Sequence, residues 1–230
     1  VAVFVVASLL TLLLLLLVPG LALRRKIAHG ASRVALALMG MRLRVLHPER
    51  LPEGHCVVVA NHSSYLDGVV LKAALPPRFG FVIKREMDAV PLANLLLRRI
   101  GAEFIERGRN GRGARDARRL LKQAHADVSL AFFPEGTFER VPGLLRFHAG
   151  AFVFAQRAGI PVVPVAIRGT RRALPPGMPL PWPTRIEVEV LEPLTGAAAG
   201  EAEHRVTALR DQARAAILTR IDEPDATRGV

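Results

Sequence analysis

Hydrophobic and polar positions divide the chain into one long apolar run followed by a succession of short strands and helices. Residues 1–23 contain no charged side chain and are almost wholly Val, Leu, Ala and Phe, enough to cross a hydrocarbon layer that needs about 20 residues. Arg24, Arg25 and Lys26 follow at once, so the positive-inside tendency puts the rest of the chain on the cytoplasmic side. An uncleaved N-terminal membrane helix is expected, with Pro19-Gly20 able to kink it or turn it back as a helical hairpin. A cleaved signal peptide is the competing reading, opposed by the length of the run and by the lack of a small-x-small site before the basic cluster. The chain opens on Val and not Met, so an upstream start is expected.

Between 28 and 41, Ala31, Val34, Ala35, Leu38 and Met41 recur at helical spacing, with Arg33 and Arg42 off that face. This predicts an amphipathic helix lying on the domain or on a membrane surface. Short apolar runs predict strands at 43–46, 56–60, 79–83, 128–133 and 160–167, and 186–190 alternates like a half-exposed strand. Helices are expected over 68–75, 92–99 and 149–158, and a last amphipathic one is marked by Ala202, Val206, Leu209, Ala213, Ile217 and Ile221. Residues 168–184 are too Pro-rich for regular structure; Leu180 and Trp182 within them read as core or a small lid, with contact to lipid as the other reading. There is no internal repeat. The expected organisation is a membrane anchor at 1–26 and one α/β domain at 27–230, its largely parallel central sheet flanked by helices.

Composition adds a basic excess. Lys+Arg number 32 against 20 Asp+Glu, a formal net charge of +12, which favours anionic partners such as acidic head groups, phosphorylated substrates or nucleic acid. Arg107, Arg109, Arg112, Arg115, Arg118, Arg119 and Lys122 crowd one span, but Ala114, Ala117, Leu120, Leu121 and Ala124 share a helical face within it, so a solvated helix back is the default. With one cysteine, Cys56, no intramolecular disulfide is possible, which suits a reducing compartment.

The chemistry concentrates where strands end. The run 56–60 delivers Asn61-His62-Ser63-Ser64-Tyr65-Leu66-Asp67 to the point where a strand gives way to a helix, the usual place for reactive groups in open α/β sheets. His62 can act as a general base, and Asp67, five residues on, can return across about one turn to fix its tautomer. The bland alternative is a capping Asn or Ser beside a solvated Asp. Other predicted strands end at Lys84, Arg107, Glu135 and Arg168, so adjacent strand ends would gather a base, a carboxylate and several cations. A metal site at His62 and Asp67 lacks further ligands at the right spacing.

Asn61-His62-Ser63-Ser64-Tyr65-Leu66-Asp67, Phe104-Ile105-Glu106-Arg107, Phe133-Pro134-Glu135-Gly136-Thr137 and Ile160-Pro161-Val162-Val163-Pro164-Val165 resemble, in order, the four motifs of the glycerolipid acyltransferases that include 1-acylglycerol-3-phosphate acyltransferase. The similarity runs from about 57 to 167, and Lys84 and 147–150 also look like family positions. The resemblance implies acyl transfer from acyl-coenzyme A or acyl-carrier protein to a lysophospholipid hydroxyl, with no cofactor or metal. It implies His62 as base, Asp67 as its partner and Arg107 on the acceptor's phosphate. Lys84, Glu135, Gly136 and Thr137 would shape the acceptor site, and Pro164 would lie beside the acyl donor. The enzyme would sit on the inner, cytoplasmic membrane with its catalytic domain in the cytoplasm.

The residues themselves point the same way. A secondary alcohol needs a positioned base to attack a thioester, and Gly-x-Ser-x-Gly is absent, which favours direct attack over an acyl-enzyme. Turn amides near His62 or at Gly136 are candidate oxyanion donors; Glu135 has the bland alternative of satisfying backbone donors. Two departures bear on the acceptor: Phe138 stands where family members that handle a glycerophosphate often have Arg, and His148 where Lys is common. Either Arg140 or Arg146 supplies the missing charge, or the acceptor is another lysolipid, such as a lyso-aminolipid. The rival classes are an acyl-thioester hydrolase and a non-catalytic lipid-binding or nucleic-acid-binding module around Arg112; without aromatic platforms no nucleic-acid partner is expected.

Overall fold

The computed structural model describes residues 2–85, 89, 91–105, 129–195 and 202–227. Its strands are β1 (Arg42–Leu46), β2 (Val57–Ala60), β3 (Phe79–Lys84), β4 (Glu103–Ile105), β5 (Ser129–Phe132), β6 (Val162–Arg168) and β7 (Arg185–Val190). Among the described residues they form one sheet in the spatial order β1, β7, β6, β2, β5, β3, β4. Strands β2 to β6 run parallel; β7 is antiparallel to β6, and β1 runs with β7. The expected largely parallel sheet is found, made mixed by the reversal at β7.

Seven helices flank it among the described residues: α1 (Ala2–Leu17), α2 (Leu21–Leu38), α3 (Asp67–Ala74), α4 (Pro91–Arg99), α5 (Gly150–Ala158), α6 (Thr170–Ala173) and α7 (Ala202–Leu218). All four residues of β2 are buried, which is why the run is apolar throughout and not alternating. Its side chains nevertheless divide by pleat. Val58 and Ala60 join Val163, Val165, Val70 and Leu71 in one layer with α2 and α3, whereas Val57 and Val59 join Phe132, Phe152, Leu209 and Ile217 in the other with α5 and α7. Full burial of each such aliphatic or aromatic side chain contributes about 1.5–3 kcal/mol before entropy is counted.

The N-terminal expectation is corrected. The apolar run does not form one continuous membrane helix: Pro19 lacks an amide donor, Gly20 takes φ +81°, and the chain turns back between α1 and α2. No helix among the described residues is long and apolar enough to cross a membrane. The helical hairpin, held as the alternative, is what forms. α2 continues without a break through Lys26 and docks on α3, where His29 Nδ1 lies 3.1 Å and 3.0 Å from the carbonyl oxygens of Lys72 and Leu75. Arg24 and Arg25 donate to main-chain carbonyls of Val18, Ile100 and Arg78, so part of the basic cluster closes the hairpin onto the domain.

Two smaller expectations change. The segment 168–184 is not wholly irregular, because Thr170–Ala173 closes a short helix after β6. β7 alternates as expected, but Glu189 is buried, its Oε2 accepting from Arg168 at 2.8 Å.

Candidate active site

Parallel pairing brings the carboxyl ends of β6, β2, β5 and β3 to one edge in that order. Beyond β2 the chain is held by Asn61, whose amide donates to Ile167 O at 2.9 Å and accepts from Ile167 N at 2.7 Å. Asn61 is therefore a side-chain clip between β2 and β6 and not a helix cap. The clip fixes where the next residue, His62, leaves the sheet.

His62 Nδ1 lies 2.8 Å from Asp67 Oδ2. That oxygen also accepts the backbone amides of Ser63 at 2.6 Å and Ser64 at 2.8 Å, while Asp67 is wholly buried in the first turn of α3, where the helix end favours negative charge. Three donors converge on one carboxylate oxygen, so Nδ1 carries a proton toward Asp67 and Nε2 is left as the basic nitrogen. The serine hydroxyls are engaged elsewhere: Ser64 Oγ donates to Leu174 O at 2.8 Å, and Ser63 Oγ lies 3.3 Å from Thr170 Oγ1. The imidazole stacks on Phe133 at 4.4 Å between centroids and meets the edge of Phe138 at 4.7 Å. Phe138 in turn touches the exposed Tyr65 at 4.8 Å.

Glu135 follows β5 through the turn at 133–136, closed by Gly136 N donating to Phe133 O at 3.0 Å. Gly136 has φ +75°, a conformation that glycine adopts without a Cβ penalty. Glu135 is buried, and its two oxygens accept different amides: His62 N to Oε1 at 2.6 Å and Leu145 N to Oε2 at 2.7 Å. Burial pushes its carboxyl up to about 8, opposed by these two amides and reinforced by the charges of Asp67 and Glu223. The backbone-donor reading of Glu135 is thus correct in geometry, yet one of the donors is the amide of the candidate base. The other end of this chain of contacts is α7. Arg214 donates to the carbonyls of Leu144 at 2.6 Å and Leu145 at 3.0 Å and pairs with Asp225 at 2.6 Å. Neither Leu145 nor Arg214 was marked by a motif, and a contact between such distant segments leaves no local signal in the sequence.

The remaining candidates are spread around this centre. Lys84 is exposed at the end of β3, separated from β2 by β5. Thr137 is exposed and Gly136 half-buried. Pro164 is buried inside β6 opposite Val59, at a position where its carbonyl accepts from Leu191 N. Arg107, Glu106 and Arg112 lie outside the described residues. Arg146 and His148 are exposed, and the Arg140 guanidinium lies beside Gly177. The amides of His62, Ser63, Ser64 and Gly136 already donate inside the protein, those of Ser63 and Ser64 to Asp67, that of His62 to Glu135 and that of Gly136 to Phe133 O, so these four turn amides are engaged.

An imidazole, its buried partner carboxylate and a second buried carboxyl thus meet at one edge of an α/β sheet, inside the residues 42–168 that match the family model described as Acyltransferase. The chain belongs to the Acyltransferase family. It is similar to 1-acyl-sn-glycerol-3-phosphate acyltransferase alpha of Mus musculus, 33% identical over 195 residues, covering 79% of this chain and 64% of the relative. It is also similar to the lyso-ornithine lipid O-acyltransferase of Pseudomonas aeruginosa, 40% identical over 117 residues, 51% of this chain and 44% of the relative. The chain spans between 38% and 64% of the length of the first curated relatives it matches. The fold is that of the crystal structure of the 1-acyl-sn-glycerophosphate (LPA) acyltransferase PlsC from Thermotoga maritima, with a TM-score of 0.74, 22% identity, and coverage of 92% of this chain and 87% of that one.

Proposed function

We propose that this chain is a membrane-bound O-acyltransferase that moves a fatty acyl group from acyl-coenzyme A or acyl-carrier protein to the free hydroxyl of a lysophospholipid. The first acceptor is 1-acylglycerol-3-phosphate, and the product is then phosphatidate. The observation that carries the reading is the 2.8 Å contact of His62 Nδ1 with a wholly buried Asp67, and the names of the relatives support the acceptor.

In the reaction, His62 Nε2 takes the proton of the acceptor hydroxyl as its oxygen attacks the thioester carbonyl carbon, and the charge left on the imidazole is balanced by Asp67. A C–O bond forms, the tetrahedral intermediate collapses, the C–S bond breaks, and the imidazolium returns the proton to the departing thiolate. Cys56 offers no competing nucleophile, since burial pushes its thiol up to about 11 and the thiolate is the reactive form. Arg107 and Lys84 are assigned to the acceptor's phosphate, Glu135, Gly136 and Thr137 to the acceptor wall, and Pro164 to the donor side. Leu10, Leu13 and Leu17 are more than half exposed on α1, an apolar face suited to burial in one leaflet of the inner membrane with the catalytic edge toward the cytoplasm.

A second acceptor, a lyso-aminolipid, is favoured by one observation: Phe138, in place of an arginine, walls the imidazole at 4.7 Å. The test is purified protein assayed against a panel of lysolipids with both thioester donors, read by lipid mass spectrometry. Acylated product that depends on His62 supports the reading. Free fatty acid released without any acceptor would make the chain a hydrolase instead.

A further inference from the structure

We infer that the Pro-rich connection between α6 and β7 is a second lipid-contacting element, distinct from the α1–α2 hairpin, and that Trp182 anchors it in the head-group layer of an anionic bilayer. The inference rests on the membrane reading above. Met178, Leu180 and Trp182 are 47%, 53% and 63% exposed, and they alternate with Pro179, Pro181 and Pro183.

The local architecture holds these side chains out in a fixed frame. Trp182 N donates to Ala173 O at 2.7 Å, Met178 N to Pro175 O at 3.1 Å, and Arg42 N to Thr184 O at 3.0 Å. Pro183 sits against Gly40, where an added Cβ would come within 3.1 Å of its ring. The expectation that Leu180 and Trp182 are core is therefore replaced by a rigid, outward-facing loop.

Three features select a lipid surface over an acidic protein as the occupant. Proline has no N–H, so a loop with proline at every second position has few donors to desolvate when it meets head groups. An indole is amphipathic and prefers the membrane–water boundary. Arg172 on α6, Arg185 at the start of β7 and Arg42 at the start of β1, whose amide bonds Thr184, are exposed beside the loop, cations that suit anionic head groups. An acidic carrier protein would use the arginines but would leave the protruding Met, Leu and Trp without apolar cover.

The loop is also continuous with the hairpin. α2 begins against Gly101, which Leu21 crowds, and is followed by Gly40 against Pro183, a span of about 27 Å. Leu23, Lys26, Arg33, Val34 and Leu38 form an exposed stripe of apolar and basic residues along it. The loop lies next to the site as well, since α6 and Leu174 hold Ser63 and Ser64. Contact at both ends of α2 fixes the angle at which the His62 edge meets the bilayer, which contact through the hairpin alone would leave free to rock.

The chain's single tryptophan makes the test direct. Whole protein is mixed with phosphatidylglycerol/phosphatidylethanolamine vesicles, with and without lipids brominated near the head group, and Trp emission is recorded; Leu13→Cys carrying a fluorescent label reports the hairpin in parallel, buried Cys56 being shielded from the reagent. The expected result is a blue shift of Trp182 and quenching by brominated lipid, weakened when phosphatidylglycerol is omitted. In Trp182→Ser and Leu180→Ser the label is still quenched but the apparent vesicle affinity falls about tenfold. A quenched label with Trp182 unshifted and open to aqueous iodide would overturn the inference and leave the membrane reading standing; no vesicle binding at all would overturn both. A Trp182 shift produced by acyl-carrier protein without vesicles, and absent with vesicles, would also overturn it and assign the loop to a protein partner.

Discussion

The backbone amide of His62 is held by the side chain of Glu135, N to Oε1, at 2.6 Å. The candidate base is therefore positioned twice, through its ring by Asp67 and through its main chain by a carboxyl from the neighbouring strand. Substitutions at Asp67 and at Glu135 separate these two supports.

Glu135 has its carboxyl raised from an ordinary value of 4.5 to about 8, chiefly by burial. A folded-state pKa above the unfolded one means that the native state holds the proton more tightly, so stability is full below about pH 4.5 and is lost as pH rises through about 8. The thermal midpoint of the wild type is expected to fall between pH 5 and 9, and that slope to flatten in Glu135→Gln. Parallel slopes in differential scanning fluorimetry would contradict this.

His62→Ala is expected to lower turnover by about a hundred to ten thousand fold, the range for a lost general base, with an unchanged far-ultraviolet circular dichroism spectrum. Asp67→Asn should lower it comparably, because a neutral amide cannot balance the charge that develops on the imidazole and its NH2 group can face Nδ1 as a second donor. A variant of either position that keeps more than half of wild-type turnover would remove the dyad from the mechanism.

Asn61→Ala leaves the buried N–H and C=O of Ile167 without their side-chain partner. The expected cost is about 2–4 kcal/mol of unfolding free energy, measured by urea denaturation. Activity per folded molecule should fall too, as β2 and β6 lose register beside the site.

Arg214 acts through Leu145 and Glu135 without touching the site. In Arg214→Leu the Leu145 amide is expected to drift from Glu135 Oε2, which raises the Glu135 carboxyl further and moves the alkaline fall of the thermal midpoint up in pH. Arg214→Lys should reverse part of that shift. A fall in protein yield with no change in the pH profile would reduce Arg214 to a structural clamp.

Phe138 reports on the acceptor. Phe138→Arg is expected to raise kcat/KM for 1-acylglycerol-3-phosphate relative to a lyso-ornithine lipid by about tenfold or more, the value of a charge-assisted hydrogen bond to phosphate. An unchanged ratio would show that position 138 does not meet the head group.

The sheet was legible because parallel strands buried on both faces must be apolar throughout, as in residues 57–60 and 162–167, and because polar residues gather where such runs end. The His62–Asp67 contact was legible for a local reason: five residues across a strand–helix junction is a distance the backbone sets. The hold of Arg214 on Leu145, and of Leu145 on Glu135, was not, since it joins segments brought together only by the packing of α7 behind β6. At the N-terminus hydropathy favours one continuous helix, and the turn signalled by Pro19 and Gly20 decides instead for the hairpin that was its alternative. The clip that Asn61 makes was not legible either: a cap was the bland alternative for this position, whereas the adjacent strand end offers a full pair of backbone partners at Ile167.

The oxygen of Asp67 that accepts three donors has a consequence for how this scaffold can diversify. Two of those donors are main-chain amides, so the direction of His62 Nε2 is tied to the path of the backbone, which the Glu135 carboxyl holds in turn. The aromatic wall of Phe138 and Tyr65 is built the opposite way, from side chains facing outward from loops. In the proposed reaction, exchanging Phe138 or Tyr65 would alter the wall that the acceptor meets while the Asp67 and Glu135 contacts of His62 stay in place, so a change of acceptor need not pass through a form without its base.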